Sequence, residues 1–231
     1  MTTAQSHDAY FASRFTPDPK RTVVWREIAR YLQRYVPQAG ALLELGAGYC
    51  DFINQIQAAK KCAVDLGTVS QRAAAEGIQV LQRSVTDLTP VATESQDVVF
   101  SSNLFEHLDR ADFEACIAEV RRVLVPGGRL IVIQPNFKYC APDYFDDYTH
   151  RQIFTHVTMS DWLTALGFEV EAVRPRFLPF SMKSRLPTWG WLVRLFLAAP
   201  PNPLGKQFLV VCRKPAQGGA LQSISINEME R

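Results

Sequence analysis

The chain alternates between short continuous apolar runs and longer segments in which apolar residues return every three or four positions. The runs at 41–45 and 97–103 have continuous apolar centres, which is typical of strands buried on both faces. The segments at 20–36 and 112–124 each have an apolar stripe, as a helix packed against a sheet requires. This alternation of strands and helices predicts a mostly parallel sheet with helices on both faces.

The same patterns predict the remaining elements. Further strands are expected at 61–66, 79–85, 129–133, 168–174 and 206–212, and further helices at 51–59, 70–75, 161–166 and 186–197. Thr158 or Ser160 is expected to cap the helix at 161–166, and Gly167 to end it.

A glycine turn after the first strand is the first candidate site. Gly46 and Gly48, on either side of Ala47, allow a sharp turn and the close approach of a ligand. Glu44 lies at the carboxyl end of the strand, the edge at which open α/β sheets bind ligands. A dinucleotide turn would have glycine where Asp51 stands, and a carboxylate there repels a diphosphate. The turn suits a positively charged nucleoside, although an ordinary strand-to-helix turn has the same form.

A second acid follows at the end of the next strand. Asp65, followed by Leu66, lies about twenty residues after the glycine turn, where a carboxylate can accept hydrogen bonds from both ribose hydroxyls. NAD enzymes and S-adenosylmethionine (SAM) enzymes share this feature, so it indicates a nucleoside without choosing between them. A turn residue at a strand end is the alternative.

These motifs occur together in the order of a known family. The E-x-G-x-G motif beginning at Glu44, the acids Asp65 and Asp87, the 97–107 strand end and the Pro-Gly-Gly at 126–128 resemble class I SAM-dependent methyltransferases. The resemblance covers roughly residues 41–136, and many members have glycine where Cys50 stands. It implies a Rossmann-like, doubly wound α/β sheet of seven mostly parallel strands in the order 3-2-1-4-5-7-6, with the seventh antiparallel.

The resemblance also implies the cofactor and its contacts. SAM would be the methyl donor and S-adenosylhomocysteine (SAH) the product. Asp87 would meet the adenine amino group, and Leu66, Asn103 and Leu104 would be further cofactor contacts, beside Glu44 and the glycine turn.

Composition sets the limits of this interpretation. The chain has 231 residues and a formal net charge of +2, which gives no sign of bulk nucleic-acid binding. Its five cysteines include no C-x-x-C pair, which favours a reducing cytoplasm over a disulfide framework. The sequence shows neither a signal-peptide pattern nor an apolar run long enough to span a membrane. We expect a monomer or homodimer.

One methyltransferase domain is expected at 1–216. It would comprise an N-terminal cap segment at 1–37, a substrate lid at 137–160 and an apolar, basic insertion at 179–204. Residues 217–231 are expected to be a disordered tail.

The lid is dense in acids, aromatic residues and histidine, as a binding loop near a cofactor edge can be. The residues expected to bind the acceptor are Tyr10, Asn136, Tyr144, Asp146, Tyr148 and Arg151. The C-terminal half is also similar to bacterial methyltransferases found with glycan and polysaccharide biosynthesis. That similarity implies a sugar, glycan or glycolipid acceptor, including phosphorylated, nucleotide-linked or lipid-linked forms, and O-methylation.

Methyl transfer from a sulfonium is an in-line displacement, and a sugar hydroxyl needs help to lose its proton. His107 and His150 are the candidate general bases, and Asp146 or Asp147 could orient His150 or bind sugar hydroxyls directly. An acid as base, or no base, is the alternative, and no metal is expected. N-methylation of an amine, SAM binding without catalysis and NAD-dependent oxidoreduction are the competing functions.

The insertion before the last strand is very apolar within a basic region. Between Ala172 and Asn227 there are eight basic residues and no acid. The helix could dock on the sheet, contact substrate or a partner chain, or lie on an anionic membrane surface through 187–199. The protein is expected to be cytoplasmic, with peripheral membrane contact as one alternative.

Overall fold

The computed structural model describes residues 19–179, 189–198 and 202–216. Within them, one sheet has the strand order β3-β2-β1-β4-β5-β7-β6, as predicted. β7 runs antiparallel to β5 and β6, and the other pairs are parallel. The strands are β1 (Ala41–Leu45), β2 (Lys60–Asp65), β3 (Gln79–Gln82), β4 (Gln96–Ser102), β5 (Leu124–Pro135), β6 (Glu169–Leu178) and β7 (Gln207–Arg213).

Helices cover both faces of the sheet. They are α1 (Pro19–Leu32), α2 (Val69–Ala73), α3 (Arg110–Val123), α4 (Phe137–Tyr144), α5 (His156–Ala165) and α6 (Gly190–Ala198). One apolar layer joins the sheet to α3 and α5, with Phe113 and Leu163 among its buried residues. The other joins the opposite side chains of the sheet to α1 and α6 through Ile28 and Leu197. The central strands are therefore buried on both faces, which explains their continuous apolar centres.

The expected helix at 51–59 is wrong, because residues 48–56 form a series of turns. The Glu44 carboxylate accepts the Ile53 N–H, which takes that donor out of a helical ladder. The Asn54 side chain bonds to the backbone of Ala73 and Ala75, so this segment is fixed from the side. Long-range bonds replace the regular helix.

The start of α5 also differs from the prediction. Thr155 is the cap: its hydroxyl accepts the Thr158 N–H, and the Thr158 hydroxyl accepts the Thr155 N–H. This reciprocal pair starts the helix at His156, before the predicted position. The prediction that Thr158 or Ser160 is the N-cap is therefore wrong. Both lie inside α5, and Thr158, its third residue, completes the capping pair with Thr155.

Several expectations fall wholly or partly outside the described residues. They concern the tail at 217–231, about half of the cap segment at 1–37, including Tyr10, and part of the insertion at 179–204. Among the described helices, none combines the length and apolar character needed to cross a bilayer. All five cysteines are free and buried.

Candidate active site

The glycine turn lies at the carboxyl edge of the parallel strands. Gly46 has φ +66° and Gly48 has φ +49°, both in the left-handed region that glycine tolerates best. A Cβ atom at Gly46 would lie 3.0 Å from Cδ1 of Leu104, which follows β4. The absence of a side chain at Gly46 therefore lets Leu104 close over the turn. Two residues that were expected to contact one cofactor come together here.

Cys50 explains how the turn departs from the glycine-rich pattern. Its φ is +56°, so the backbone adopts the left-handed conformation that a glycine would adopt at this position. The side chain is buried, with its sulfur 3.7 Å from the Ser70 carbonyl oxygen. The departure changes the residue and keeps a backbone shape typical of glycine.

Two buried carboxylates flank the turn. Asp65 accepts the N–H groups of Gly48 and Gly67, each at 2.8 Å, and so ties the turn to the end of β2. Glu44 accepts the Ile53 N–H at 2.9 Å. Burial raises the pKa of Glu44 well above its ordinary value, and the charges of Asp51 and Asp65 add to the rise, although the Ile53 hydrogen bond opposes it.

The two carboxylates favour a ligand of one sign of charge. A cation near the turn would relieve the repulsion between Glu44 and Asp65, whereas a phosphate would increase it. Asp51 is already paired with Arg21, at 2.6 Å. The donor and acceptor set therefore fits the ammonium, sulfonium and ribose of SAM.

The other predicted cofactor residues differ in how far they are exposed. Leu66 is half-buried directly after Asp65, and Asn103 is exposed with φ +50° at the end of β4. Asp87 is half-exposed and pairs with Arg83 at 2.6 Å, and its carboxylate also accepts the Thr89 hydroxyl. Its contact with adenine stays a prediction.

Three side chains form a hydrogen-bonded chain beside the end of β4. The Thr149 hydroxyl donates to Asp147 Oδ1 at 2.6 Å, and its oxygen lies 2.9 Å from His107 Nδ1. Because the threonine proton is used on Asp147, the hydroxyl oxygen accepts from Nδ1–H of His107. That tautomer puts the ring lone pair on Nε2, the atom that can take a proton. Asp147 is therefore linked to His107 through Thr149. An orienting role of Asp147 towards His150 stays a prediction.

The lid carries the second histidine to the same place. The rings of His107 and His150 have centroids 5.0 Å apart, and the Tyr144 ring lies 4.5 Å from His150. The backbone carbonyl of Glu106 accepts the N–H of Arg151 at 2.7 Å, which fixes the end of the lid against the turn after β4. All three predicted catalytic residues are thus brought together.

Glu106 is a site residue that sequence reasoning missed. It is 1% exposed, and its Oε2 has no hydrogen-bond partner among the described residues. Burial raises its pKa to about 8, and the charge of Asp147 adds to the rise. An acid directly before His107, in an otherwise apolar stretch, was the available signal.

The same cluster has the composition of a metal site. Glu106, His107 and His150 offer ligand atoms that all lie within 4.8 Å of one another, so they could hold a metal ion. His150 lies more than forty residues after Glu106 and His107 in the sequence, so sequence spacing alone did not indicate this candidate metal site. The prediction that no metal is used remains a prediction.

The predicted acceptor residues divide into two groups. Tyr144 and Asn136 are fully buried: the Tyr144 hydroxyl donates to the Gln152 carbonyl, and the Asn136 amide donates to the Pro175 carbonyl. They pack the lid, and their contact with an acceptor stays a prediction. The others, Asp146, Tyr148 and Arg151, are exposed on the lid.

Comparisons with known proteins bear on the fold. Residues 43–132 match the family described as "Methyltransferase domain". The structure resembles a chain of the Haloferax volcanii complex between the Trm112 methyltransferase activator and a methyltransferase, with a TM-score of 0.70, 17% identity, and 95% and 100% of the two chains covered.

Two further structures show the same fold. A SAM-dependent methyltransferase from Archaeoglobus fulgidus has a TM-score of 0.65 at 16% identity, covering 90% of this chain and 99% of that one. The [4+2]-cyclase SpnF has a TM-score of 0.58 at 17% identity, covering 83% and 81%. No curated protein matches the sequence significantly.

The fold is the Rossmann-like fold of SAM-dependent methyltransferases, and residues 43–132 are similar to the family described as a methyltransferase domain. Because the fold also occurs in a protein named as a cyclase, the activity must be argued from the site.

Proposed function

We propose that this protein is a SAM-dependent methyltransferase that methylates a hydroxyl group of a small-molecule acceptor, with His107 as general base. The observation that carries the proposal is the Asp147–Thr149–His107 hydrogen-bonded chain at the carboxyl edge of the sheet. This chain supplies an oriented proton acceptor. An alcohol acceptor needs such a group, whereas a neutral amine is already nucleophilic without it.

The cofactor would lie against the glycine turn. Asp65 would accept the ribose hydroxyls, and Glu44 would face the positive end of the ligand, while Leu104 covers the turn. When bound, SAM supplies a methyl group on a sulfonium that leaves as the neutral thioether SAH.

The residues of this chain would perform the proton transfer. His107 Nε2 takes the hydroxyl proton while the acceptor oxygen forms its bond to the methyl carbon and the carbon–sulfur bond breaks. The proton stays on the ring, so His107 becomes an imidazolium. Asp147 stabilises that charge through the Thr149 hydroxyl, in the way an orienting acid supports a catalytic histidine. His150, beside the His107 ring, would help to position the acceptor.

The exposed residues of the lid support a sugar or glycan acceptor. Tyr148 is 80% exposed and offers an aromatic face, on which a sugar ring can pack. Asp146 and Arg151, close to it in the chain, can bond to hydroxyl or phosphate groups. This combination agrees with the acceptor class that the sequence similarity implies.

We further propose that residues 1–216 act as one methyltransferase domain in a reducing cytoplasm. The five free, buried cysteines support a reducing compartment.

Calorimetry separates the cofactor question from the acceptor question. We expect saturable binding of SAH and none of NAD. Saturation with NAD and no heat with SAM or SAH would remove the proposal.

Methyl transfer from labelled SAM to panels of sugars, glycans and amines then tests the acceptor. We expect His107→Ala to lower turnover at least a hundredfold with SAH binding intact, the usual lower range for a general base. His156→Asn changes a histidine outside the cluster and is the matched control. Unaltered turnover in His107→Ala would exclude the base, and methylation of amines alone would favour an N-methyltransferase.

A further inference from the structure

Helices α1 and α6 lie side by side on one face of the sheet and share an ion pair whose carboxylate is buried. Glu27, 5% exposed, accepts hydrogen bonds from Arg194 of α6 at 3.0 and 3.2 Å. Gly190 begins α6 against the same carboxylate, since a Cβ atom there would lie 3.1 Å from Glu27 Oε1. The outer sides of the two helices therefore form one continuous surface.

The α1 part of this surface is strongly basic. Arg26 and Arg30 of α1, and Arg34 in the 3-10 turn that follows it (Gln33–Tyr35), are spaced four residues apart and are exposed, whereas Trp25 and Ile28 point into the core. Glu27 is the one acid in the sequence of α1, and it is buried and already paired with Arg194 and Arg30. The outward charge of the helix is therefore positive.

The α6 part of the surface is apolar. Trp191 and Leu195 lie one turn apart and are 60% and 59% exposed, and Trp189, just before the helix, is 59% exposed. The two indole rings lie 5.9 Å apart. Leu197 is buried in the core on the other side of the helix. The exposed apolar side chains are therefore additional to those that hold α6 on the protein.

We propose that this surface, formed by Arg26, Arg30, Arg34, Trp189, Trp191 and Leu195, binds an anionic lipid bilayer. Exposed arginines are attracted to negative headgroups, and indole rings prefer the boundary between headgroups and acyl chains. A basic region bearing exposed tryptophan and leucine is the composition of a peripheral, in-plane contact.

The charge argues against a second copy of the chain as occupant. A two-fold interface made from this surface would bring three arginines from each copy towards each other. An anionic bilayer offers the opposite charge and an apolar layer at once. On the proposed function, this contact would hold the enzyme near acceptors carried on lipids, but the contact itself requires no methyl transfer.

Vesicle flotation tests the proposal with the full chain. The probes are vesicles of phosphatidylcholine alone and of phosphatidylcholine with phosphatidylglycerol. We expect binding to the anionic vesicles, weakened by salt. Trp191→Ser with Leu195→Ser should lower the partition coefficient at least tenfold, because two apolar side chains no longer enter the interface. Arg26→Gln with Arg34→Gln should lower it about twenty-five-fold, at roughly fivefold for each charge.

Matched variants on other surfaces provide the controls. Arg72→Gln with Arg110→Gln removes two exposed charges, and Val157→Ser removes an exposed apolar group on α5; neither should change the partition coefficient. Thermal unfolding checks that every variant is folded.

Tryptophan fluorescence gives a second readout. Brominated lipids should quench the wild-type protein, and Trp189→Phe with Trp191→Phe should lose most of that quenching. Of the other two tryptophans, Trp25 is buried in the core, and Trp162 packs against the apolar layer on the opposite face of the sheet. No binding to anionic vesicles at low salt, or equal binding by all variants, would overturn the proposal. A dimer that is broken by Leu195→Arg, without vesicle binding, would assign the surface to a second copy instead. None of these outcomes bears on SAH binding or methyl transfer.

Discussion

The Thr149 hydroxyl oxygen lies 2.9 Å from Nδ1 of His107, although the two residues belong to segments that are far apart in the chain. The contact joins the lid to the end of β4. It also makes the orientation of a candidate base depend on a threonine that carries no charge of its own.

Replacing Thr149 tests this relationship. Thr149→Val keeps the shape but removes the hydroxyl, so His107 loses its link to Asp147. We expect kcat to fall at least about tenfold, with little change in the KM for SAM, because only proton transfer is affected. Thr149→Ser restores the hydroxyl and should restore most of the rate. A Ser variant as slow as the Val variant would show that packing, and not hydrogen bonding, matters here.

Glu106 should make stability depend on pH. Its pKa is raised from 4.5 to about 8 in the folded protein. Between these values the folded protein holds a proton that the unfolded chain releases, so the free energy of unfolding should fall as pH rises from about 4.5 to 8. The total loss should be roughly 3–4 kcal/mol.

Glu106→Gln isolates this effect, because its side chain cannot ionise. In denaturant unfolding at pH 5, 6, 7 and 8, the free energy of unfolding of the variant should rise relative to that of the wild type as pH rises. Glu76→Gln changes an exposed carboxylate and should run parallel to the wild type. Parallel curves for Glu106→Gln as well would mean that Glu106 is ionised in the folded protein.

Alanine substitutions at two glycines with positive φ separate the loss of stability caused by backbone strain from the loss caused by a steric clash. Gly77→Ala, at φ +82° with open space around it, should cost only about 1 kcal/mol of stability. Gly46→Ala adds a clash with Leu104 and should cost roughly 2–3 kcal/mol. Chemical denaturation gives both values. Calorimetry should show at least a tenfold loss of SAH affinity for Gly46→Ala and no loss for Gly77→Ala. Equal SAH affinities of the two variants would mean that the turn at Gly46 does not bind the cofactor.

The two predicted cofactor acids should differ in importance. Asp65→Asn places an amide against the N–H of Gly48 or Gly67, so we expect SAH affinity to fall at least tenfold. Asp87→Asn disturbs only the half-exposed pair with Arg83 and the bonds to Thr89, so its effect should be under threefold. An equal loss in both variants would support the adenine contact that the sequence resemblance implies for Asp87.

Chelation and metal addition test the cluster of Glu106, His107 and His150. A histidine base needs no metal, so EDTA should leave turnover unchanged. Added Zn²⁺ should inhibit, since it would bind the same ring nitrogen that takes the proton. Loss of activity with EDTA, restored by a divalent ion, would replace the base by a metal in the proposed mechanism.

The sequence by itself determined the sheet and the cofactor edge. Apolar runs and glycine positions report local conformation, and in a parallel sheet they fix which residues reach the carboxyl edge. The positions of Glu44, Asp65 and the turn at Gly46 therefore follow from the order of residues along the chain.

Tertiary structure decided what depends on contacts between distant segments. The burial of Glu106, the chain from Asp147 to His107 and the joint surface of α1 and α6 all come from packing across the fold. The missing helix at 51–59 has the same cause, because Glu44 accepts the Ile53 N–H and the Asn54 side chain ties the segment to the backbone of Ala73 and Ala75. Local periodicity carries no information about such long-range partners, and only the assembled fold brings them within hydrogen-bonding distance.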